Sequence, residues 1–380
     1  MTTYLLHDDS MTTPEMRHEV AEAIADPLLF FEHEGRRIVV GSILEQETFS
    51  KREDVVDEYW THNDLGIEEL MRDESFPAHL LIPEMAVRAV AKLGVSDVVV
   101  PDTFRAGTAD YLRDRGVNVV VDAAVWLERR RVKSHWEIEG IERSQRAVEM
   151  AFLTAARMLR EAEPTPGGQL RFEGEVLTAE LIREAMETDI RSQSAEVDIT
   201  LVQTGDACLS GHDPGSGPIL PDRSCIIDCA PQDRRTGCFT DMTRTFVPGR
   251  PSDELVNLHQ HCLRALEIAY ENIKPGTKSA YDAVADYFHA EGFPTRKHHE
   301  GPETLVRGFY HSLGHGVGLE VHEEPWIGMK AQDFVVGDVV AIEPGLYFDG
   351  VGGVRLEDTV LVTDDGIRHF TEPYPYDLEP

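Results

Sequence analysis

Five residues of this chain, Asp228, Asp241, His315, Glu343 and Glu357, lie on strand-like runs and offer oxygen or nitrogen donors to a metal. Asp228 follows the apolar Cys225-Ile226-Ile227, and Glu343 follows Val339-Val340-Ala341-Ile342. Glu357 lies in Gly352-Gly353-Val354-Arg355-Leu356-Glu357-Asp358, beside a further apolar strand. A carboxylate buried there without a partner is costly, and a cation is the usual compensation. Four carboxylates and one neutral imidazole carry four negative charges, which match two divalent ions. Two such ions about 3.5–4 Å apart can share a water and lower its pKa toward neutrality, which is the chemistry of metal-assisted hydrolysis. Carboxylate-rich ligation suits Mn2+, and with one imidazole also Co2+, Fe2+ or Zn2+; ligand type alone does not choose among them. Taken singly, each acid could equally be an ion-paired or surface group.

Other tempting clusters carry less. Cys225, Cys229 and Cys238 lack the paired spacing of a zinc ribbon and read as small buried hydrophobes. His298 and His299 are adjacent in a loop-like stretch and read as solvent-facing. Gly314, Gly316 and Gly318 have no strand-then-helix context, so they do not read as a nucleotide loop.

The elements that must position these residues divide the chain near residue 130. Residues 1–132 read as a small α/β domain. A helix is predicted over 14–25, a hairpin joins 28–31 to 38–43 around Glu34-Gly35, and apolar runs at 98–100 and 117–121 flank helical periods. The charged stretch 128–133 marks the boundary, and Ser134 with Glu137 has the spacing of a capping box that opens a long helix. A loop at 164–168 ends it, and a second helix is predicted from about Phe172. In 133–380 the period turns to strands: 225–229, a turn at 232–236, and a return over 238–246. Helices over 253–272 and 279–291 precede strand-like pieces at 317–322, 339–342 and 354–362. The fold class is therefore α+β, an antiparallel sheet with helices on one face.

Four stretches carry a resemblance. Asp228 with Gly237-Cys238-Phe239-Thr240-Asp241-Met242-Thr243 is similar to the two-aspartate hairpin of the pita-bread metallopeptidases. His311-Ser312-Leu313-Gly314-His315, running on to His322-Glu323, is similar to their histidine stretch. Ile342-Glu343-Pro344-Gly345-Leu346-Tyr347 and Gly353-Val354-Arg355-Leu356-Glu357-Asp358 resemble their two glutamate motifs. The resemblance covers 134–380 strongly and the first domain, which looks creatinase-like, in outline. It departs in a slightly longer turn between Asp228 and Asp241 and in Phe239 where Tyr is common.

This likeness implies a pita-bread catalytic domain with Asp241 and Glu357 bridging two metals, Asp228 on one, and His315 and Glu343 on the other. It implies that Glu343 moves a proton, that His212 faces the substrate, and that His311 and His322 stabilise the tetrahedral intermediate and shuttle protons. By strand parity Arg355 shares a face with Glu357 and Thr243 with Asp241, so both are expected to support the ligands. The two-domain layout resembles Xaa-Pro aminopeptidases, with Xaa-Pro dipeptidase, a same-fold amidase and a non-catalytic binding protein as alternatives. Peptides with proline second are the expected substrates, and a homodimer is the expected assembly.

Composition narrows the setting. At 380 residues the chain is long enough for two cores, and 41% of it is hydrophobic. A net charge of −33 disfavours nucleic acid as a partner and is also compatible with a saline host. No run approaches the ~20 apolar residues of a membrane span. The absence of a secretory pattern and the odd count of five cysteines lead to a cytoplasmic expectation.

Overall fold

The computed structural model describes residues 2–380, which divide into two compact units at Arg130 and Arg131. The first unit is a six-stranded mixed sheet. Its order is Glu58–Thr61, Arg36–Gly41, Leu28–His33, Thr3–Asp8, Asp97–Val100, Asn118–Val121. Both sheet faces are covered, and alternation along each strand sorts the side chains. Leu5, Phe31 and Val40 enter one cluster with the helix Leu81–Leu93, while Leu6, Phe30 and Val39 meet Met16 and Val20 on the other side. Glu34 and Gly35 turn the Leu28–His33 and Arg36–Gly41 hairpin with φ of 54° and 76°, as a two-residue hairpin turn requires. The helix predicted over 14–25 ends early, at Pro14–Val20. Ala21 takes the left-handed conformation, and its N–H closes on the Arg17 carbonyl.

His7 is buried at the end of the strand Thr3–Asp8, with Nδ1 2.7 Å from the Thr108 hydroxyl. Burial, reinforced by the Arg105 guanidinium, lowers its pKa from 6.5 to about 4. The unfolded chain therefore binds more protons between those two values, so stability falls as pH drops through that window. Replacing His7 by Gln, which keeps a partner for Thr108, should flatten this dependence. Urea unfolding at pH 7 and pH 4.5 should show an acid loss smaller by about 2 kcal/mol in the variant. Equal losses would contradict the assignment.

In the second unit two sheets each take a helix pair. Thr200–Thr204, Cys225–Cys229 and Met242–Phe246 form a three-stranded antiparallel sheet. Val202, Ile227 and Phe246 of that sheet pack on the helices His135–Glu161 and Ala179–Ser192. The five-stranded sheet runs Glu323–Ile327, Gly314–Gly316, Val339–Ile342, Asp358–Thr363, Gly366–His369. Its Val340, Ile342, Val360 and Val362 meet the helices Asp253–Asn272 and Ala280–Ala290. Val148, Phe152, Ala155 and Leu159 recur at helical spacing on His135–Glu161, and burying each large side chain of this kind contributes roughly 1.5–3 kcal/mol. The Ser134 and Glu137 capping box is formed.

Three sequence expectations are corrected here. Phe172 ends a short strand, Leu170–Phe172, and the second helix starts at Ala179 with the Thr178 hydroxyl accepting from the Leu181 N–H. Residues 317–322 turn instead of extending, because the strands on either side of them, Gly314–Gly316 and Glu323–Ile327, pair antiparallel. The stretch 354–362 is two strands, since Gly352–Arg355 pairs with Gly345–Phe348 whereas Asp358–Thr363 pairs with Val339–Ile342. Glu357 sits at that change of partner.

Candidate metal centre

All five donors meet where the two sheets adjoin. Asp228 lies on the strand Cys225–Cys229 opposite Thr243, and Asp241 immediately precedes the strand Met242–Phe246. The Asp241 N–H donates to Thr359 Oγ1 at 3.0 Å, and that hydroxyl returns to the Asp241 carbonyl at 2.9 Å. The Glu357 N–H donates to the Thr243 carbonyl at 3.0 Å, tying one sheet to the other. His315 lies on Gly314–Gly316 opposite Ala341, and the Glu343 N–H bonds the Leu313 carbonyl. The glycines beside His315 are required by close approach. A Cβ on Gly314 would lie 2.0 Å from the Ala341 carbonyl oxygen, and one on Gly316 would lie 2.2 Å from that of Glu324.

The donors form two triads that share Glu357: Asp228, Asp241 and Glu357, and His315, Glu343 and Glu357. In each, the donor atoms lie within 4.8 Å of one another. His315 Nδ1 faces the Gly316 carbonyl, which only accepts, so the proton sits on Nδ1 and Nε2 carries the lone pair. That Nε2 is 3.9–4.0 Å from carboxylate oxygens of Asp241, Glu343 and Glu357. The distance is too long for hydrogen bonds and leaves room for an ion between the donors. Asp241 Oδ1 is buried without a hydrogen-bond partner. The donor set therefore fits two divalent cations.

Electrostatics agree. Burial raises the Asp241 carboxyl well above its usual range, and Glu357, Asp228 and Glu343 add to it. Glu357 is raised likewise by burial and by Glu343 and Asp228, against the pull of Arg355 and Thr243. Burial pushes Glu343 up to about 7 even with Arg355 opposing. His315 is lowered to about 4 by burial and by neighbouring His322, which keeps it a neutral donor.

Behind the donors lies a network that links the predicted supporting residues. The Thr243 hydroxyl donates to Glu357 Oε2 at 2.7 Å and receives Arg355 Nε at 3.3 Å, and Arg355 Nη2 bonds Asp228. Arg355 and Glu357 thus converge on Thr243, although the strand breaks between them. Arg355 Nη1 also reaches the Tyr347 hydroxyl at 3.3 Å, and that hydroxyl is 3.1 Å from His311 Nε2. His311 Nδ1 lies 2.7 Å from the Ser312 carbonyl, so it carries the proton and Nε2 accepts from Tyr347. Burial and Arg355 lower His311 to about 4, so the ring is neutral. His212, His311 and His322 line one cavity of about 950 Å³ with the five donors. His322 packs edge-on to His315, with ring centroids 4.3 Å apart, and stacks against Trp326.

Tyr347, Thr359, Tyr310 and Trp326 were not foreseen. Of these, Tyr347 alone lies within one of the four motif stretches, closing the glutamate motif 342–347, where it was given no role. All five cysteines are free and buried, and none joins a donor group among the described residues. His298 is half-buried rather than solvent-facing, because it stacks on His289 and approaches Asp286 at 3.1 Å.

The sequence profile of metallopeptidase family M24 matches residues 139–364. The chain is 39% identical over 136 residues to the Xaa-Pro dipeptidase of Pyrococcus horikoshii, 35% of each chain. It is 32% identical over 254 residues to the probable dipeptidase PepE of Mycobacterium tuberculosis, 66% of this chain and 61% of that one. An uncharacterized peptidase of Bacillus subtilis is 36% identical over 138 residues, 36% of each. The matched segments thus span from about a third to three fifths of these relatives' lengths. The solved structure of an Xaa-Pro dipeptidase from Bacillus anthracis superposes with a TM-score of 0.77 at 21% identity, covering 99% of this chain and 94% of that one. An X-Pro aminopeptidase from Thermotoga maritima gives 0.76 at 19% identity, covering 99% and 97%. The fold is the α+β pita-bread arrangement. Among the described residues no helix is long and apolar enough to cross a membrane.

Proposed function

The chain belongs to metallopeptidase family M24, and from that premise we propose that it hydrolyses the peptide bond between an N-terminal residue and proline. The observation that carries this reading is the pair of donor triads sharing Glu357. Asp228, Asp241 and Glu357 would hold one divalent ion and His315, Glu343 and Glu357 the other, with Asp241 also facing His315 across the site. Mn2+ is our proposed metal, ahead of Co2+, Zn2+ and Fe2+. When bound, the ions supply Lewis acidity at the scissile carbonyl and acidify the attacking water.

The remaining roles fall to side chains. Glu343 stays 22% exposed toward the cavity, and we assign it the transfer of the water proton to the leaving proline nitrogen. His311 has both ring nitrogens engaged, so the donor to the developing oxyanion is His322, which lines the cavity. His212, itself exposed and lining the cavity, is assigned to its substrate side. Arg355 and Thr243 keep Asp228 and Glu357 oriented.

Aminopeptidase action is favoured by the cations in the cavity wall. Arg183 donates to the Thr200, Pro214 and Gly215 carbonyls, and Arg355 is engaged with Asp228, Thr243 and Tyr347. A dipeptide's free carboxylate would find both guanidiniums occupied, whereas a longer peptide presents a neutral amide there. Dipeptidase action is the second reading, supported by the names of the relatives.

Chelator-stripped protein refilled with Mn2+ should cleave Ala-Pro-Ala and leave Ala-Ala-Ala intact. Cleavage of Ala-Pro alone would give the dipeptidase reading instead. Cleavage of none, with metal bound, would remove the proline assignment.

A further inference from the structure

Lys133 and Glu323 form an ion pair whose side chains are 1% and 4% exposed, 190 residues apart in sequence. Glu323 directly follows His322 and opens the strand Glu323–Ile327, where it pairs with Gly316, the residue after His315. The Lys133 N–H is fixed on the Gly337 carbonyl, so its stem starts from a held point. The second Glu323 oxygen accepts the Glu320 N–H at 3.4 Å, and the Gly318 N–H bonds the Glu320 carbonyl at 3.1 Å. A Cβ on Gly318 would lie 2.7 Å from Glu323 Oε1 and 2.8 Å from Lys133 Cε. The turn 317–322 is thus closed directly over the pair, and His322 stands at its end.

An apolar pair of similar volume would stabilise such a buried spot about as well. What the ionic pair adds is a directional tether on one residue of the turn. We infer that Lys133 is a positioning residue for His322, holding through Glu323 the turn that presents its imidazole to the cavity. This rests on the role proposed above for His322. Displacement of a reacting group by about 1 Å can cost about 100-fold in rate, so a tether of this kind acts on turnover more than on substrate binding.

The test pairs Lys133→Met with Glu323→Gln, which removes both charges of the pair together and keeps an acceptor for Glu320. In the Mn2+-loaded enzyme acting on Ala-Pro-Ala, kcat should fall about 10- to 100-fold with KM within about twofold. Amide exchange over 318–323 should quicken, while Lys133→Arg alone should retain most of kcat. In a His322→Ala background the double substitution should cost nothing further, an outcome that a merely structural role would not produce. Wild-type kcat in the double variant, or a loss that adds in full to that of His322→Ala, would overturn the inference alone. Full kcat in His322→Ala would overturn the role of His322, and this inference with it.

Discussion

Replacing Asp241 by asparagine is expected to make the metal-free protein more stable and the metal-loaded protein inactive. Asp241 is buried, one of its oxygens has no partner, and three other carboxylates raise its pKa. Without cations this cluster opposes folding, because charge is confined where water cannot screen it. Asparagine keeps the shape, cannot ionise, and replaces an acceptor oxygen with an N–H donor among the carboxylates that raise the Asp241 pKa. The metal-free variant should gain about 1–3 kcal/mol in urea unfolding under chelator. Wild type should recover more than that on adding Mn2+, by about 4 kcal/mol at a thousandfold excess over Kd, and the variant should respond weakly. Turnover of Ala-Pro-Ala should fall about 1,000-fold or more, since the polarising role of the ions accounts for several kcal/mol of the barrier. A variant that is less stable without metal, or equally responsive to it, would place Asp241 outside the centre.

The second large effect lies behind the site. Arg244 is 1% exposed and donates to the carbonyls of Thr243, Glu357, Tyr374 and Pro375 and to Asp358 Oδ1 at 2.8 Å. Asp358 also accepts the Tyr270 hydroxyl at 2.6 Å and that of Tyr376. One guanidinium therefore ties the strand Met242–Phe246 to the junction at Glu357 and to the segment at Tyr374 and Pro375. Arg244→Met strips a buried carboxylate of its counter-charge and leaves four carbonyls short of a donor. The expected loss is about 3–5 kcal/mol, or about 10 °C in Tm for a unit of this size. Adding Asp358→Asn should recover part of the loss, because the stranded charge is the larger share of it. A loss under about 1 kcal/mol by urea unfolding would show that the network is dispensable.

Much of the site was legible because its donors interrupt apolar strands. Asp228 after Ile227 and Glu343 after Ile342 are anomalies of local pattern, visible without any tertiary information. The Ser134 and Glu137 cap was legible for the same reason, since it is a contact between residues three apart. The turn at 317–322 was not, because Val317, Leu319 and Val321 alternate as a strand would. Only the antiparallel pairing of Gly314–Gly316 with Glu323–Ile327 forces the chain to reverse there. Arg244 and Lys133 were hidden differently. Their partners are 114 and 190 residues away, and nothing local distinguishes a buried cation from a solvated one. His311 was legible as a site residue but not in its orientation, which depends on the Tyr347 hydroxyl and the Ser312 carbonyl. The break at Leu356 and Glu357 follows from a change of sheet partner, which periodicity does not register.

The central claim is that these five residues form one dinuclear centre. Crystals grown with Mn2+ and measured at the manganese absorption edge test it most directly. Two anomalous peaks per chain are expected, one bounded by Asp228, Asp241 and Glu357 and the other by His315, Glu343 and Glu357. Peaks elsewhere, or none at this junction in protein that turns over Ala-Pro-Ala, would contradict it.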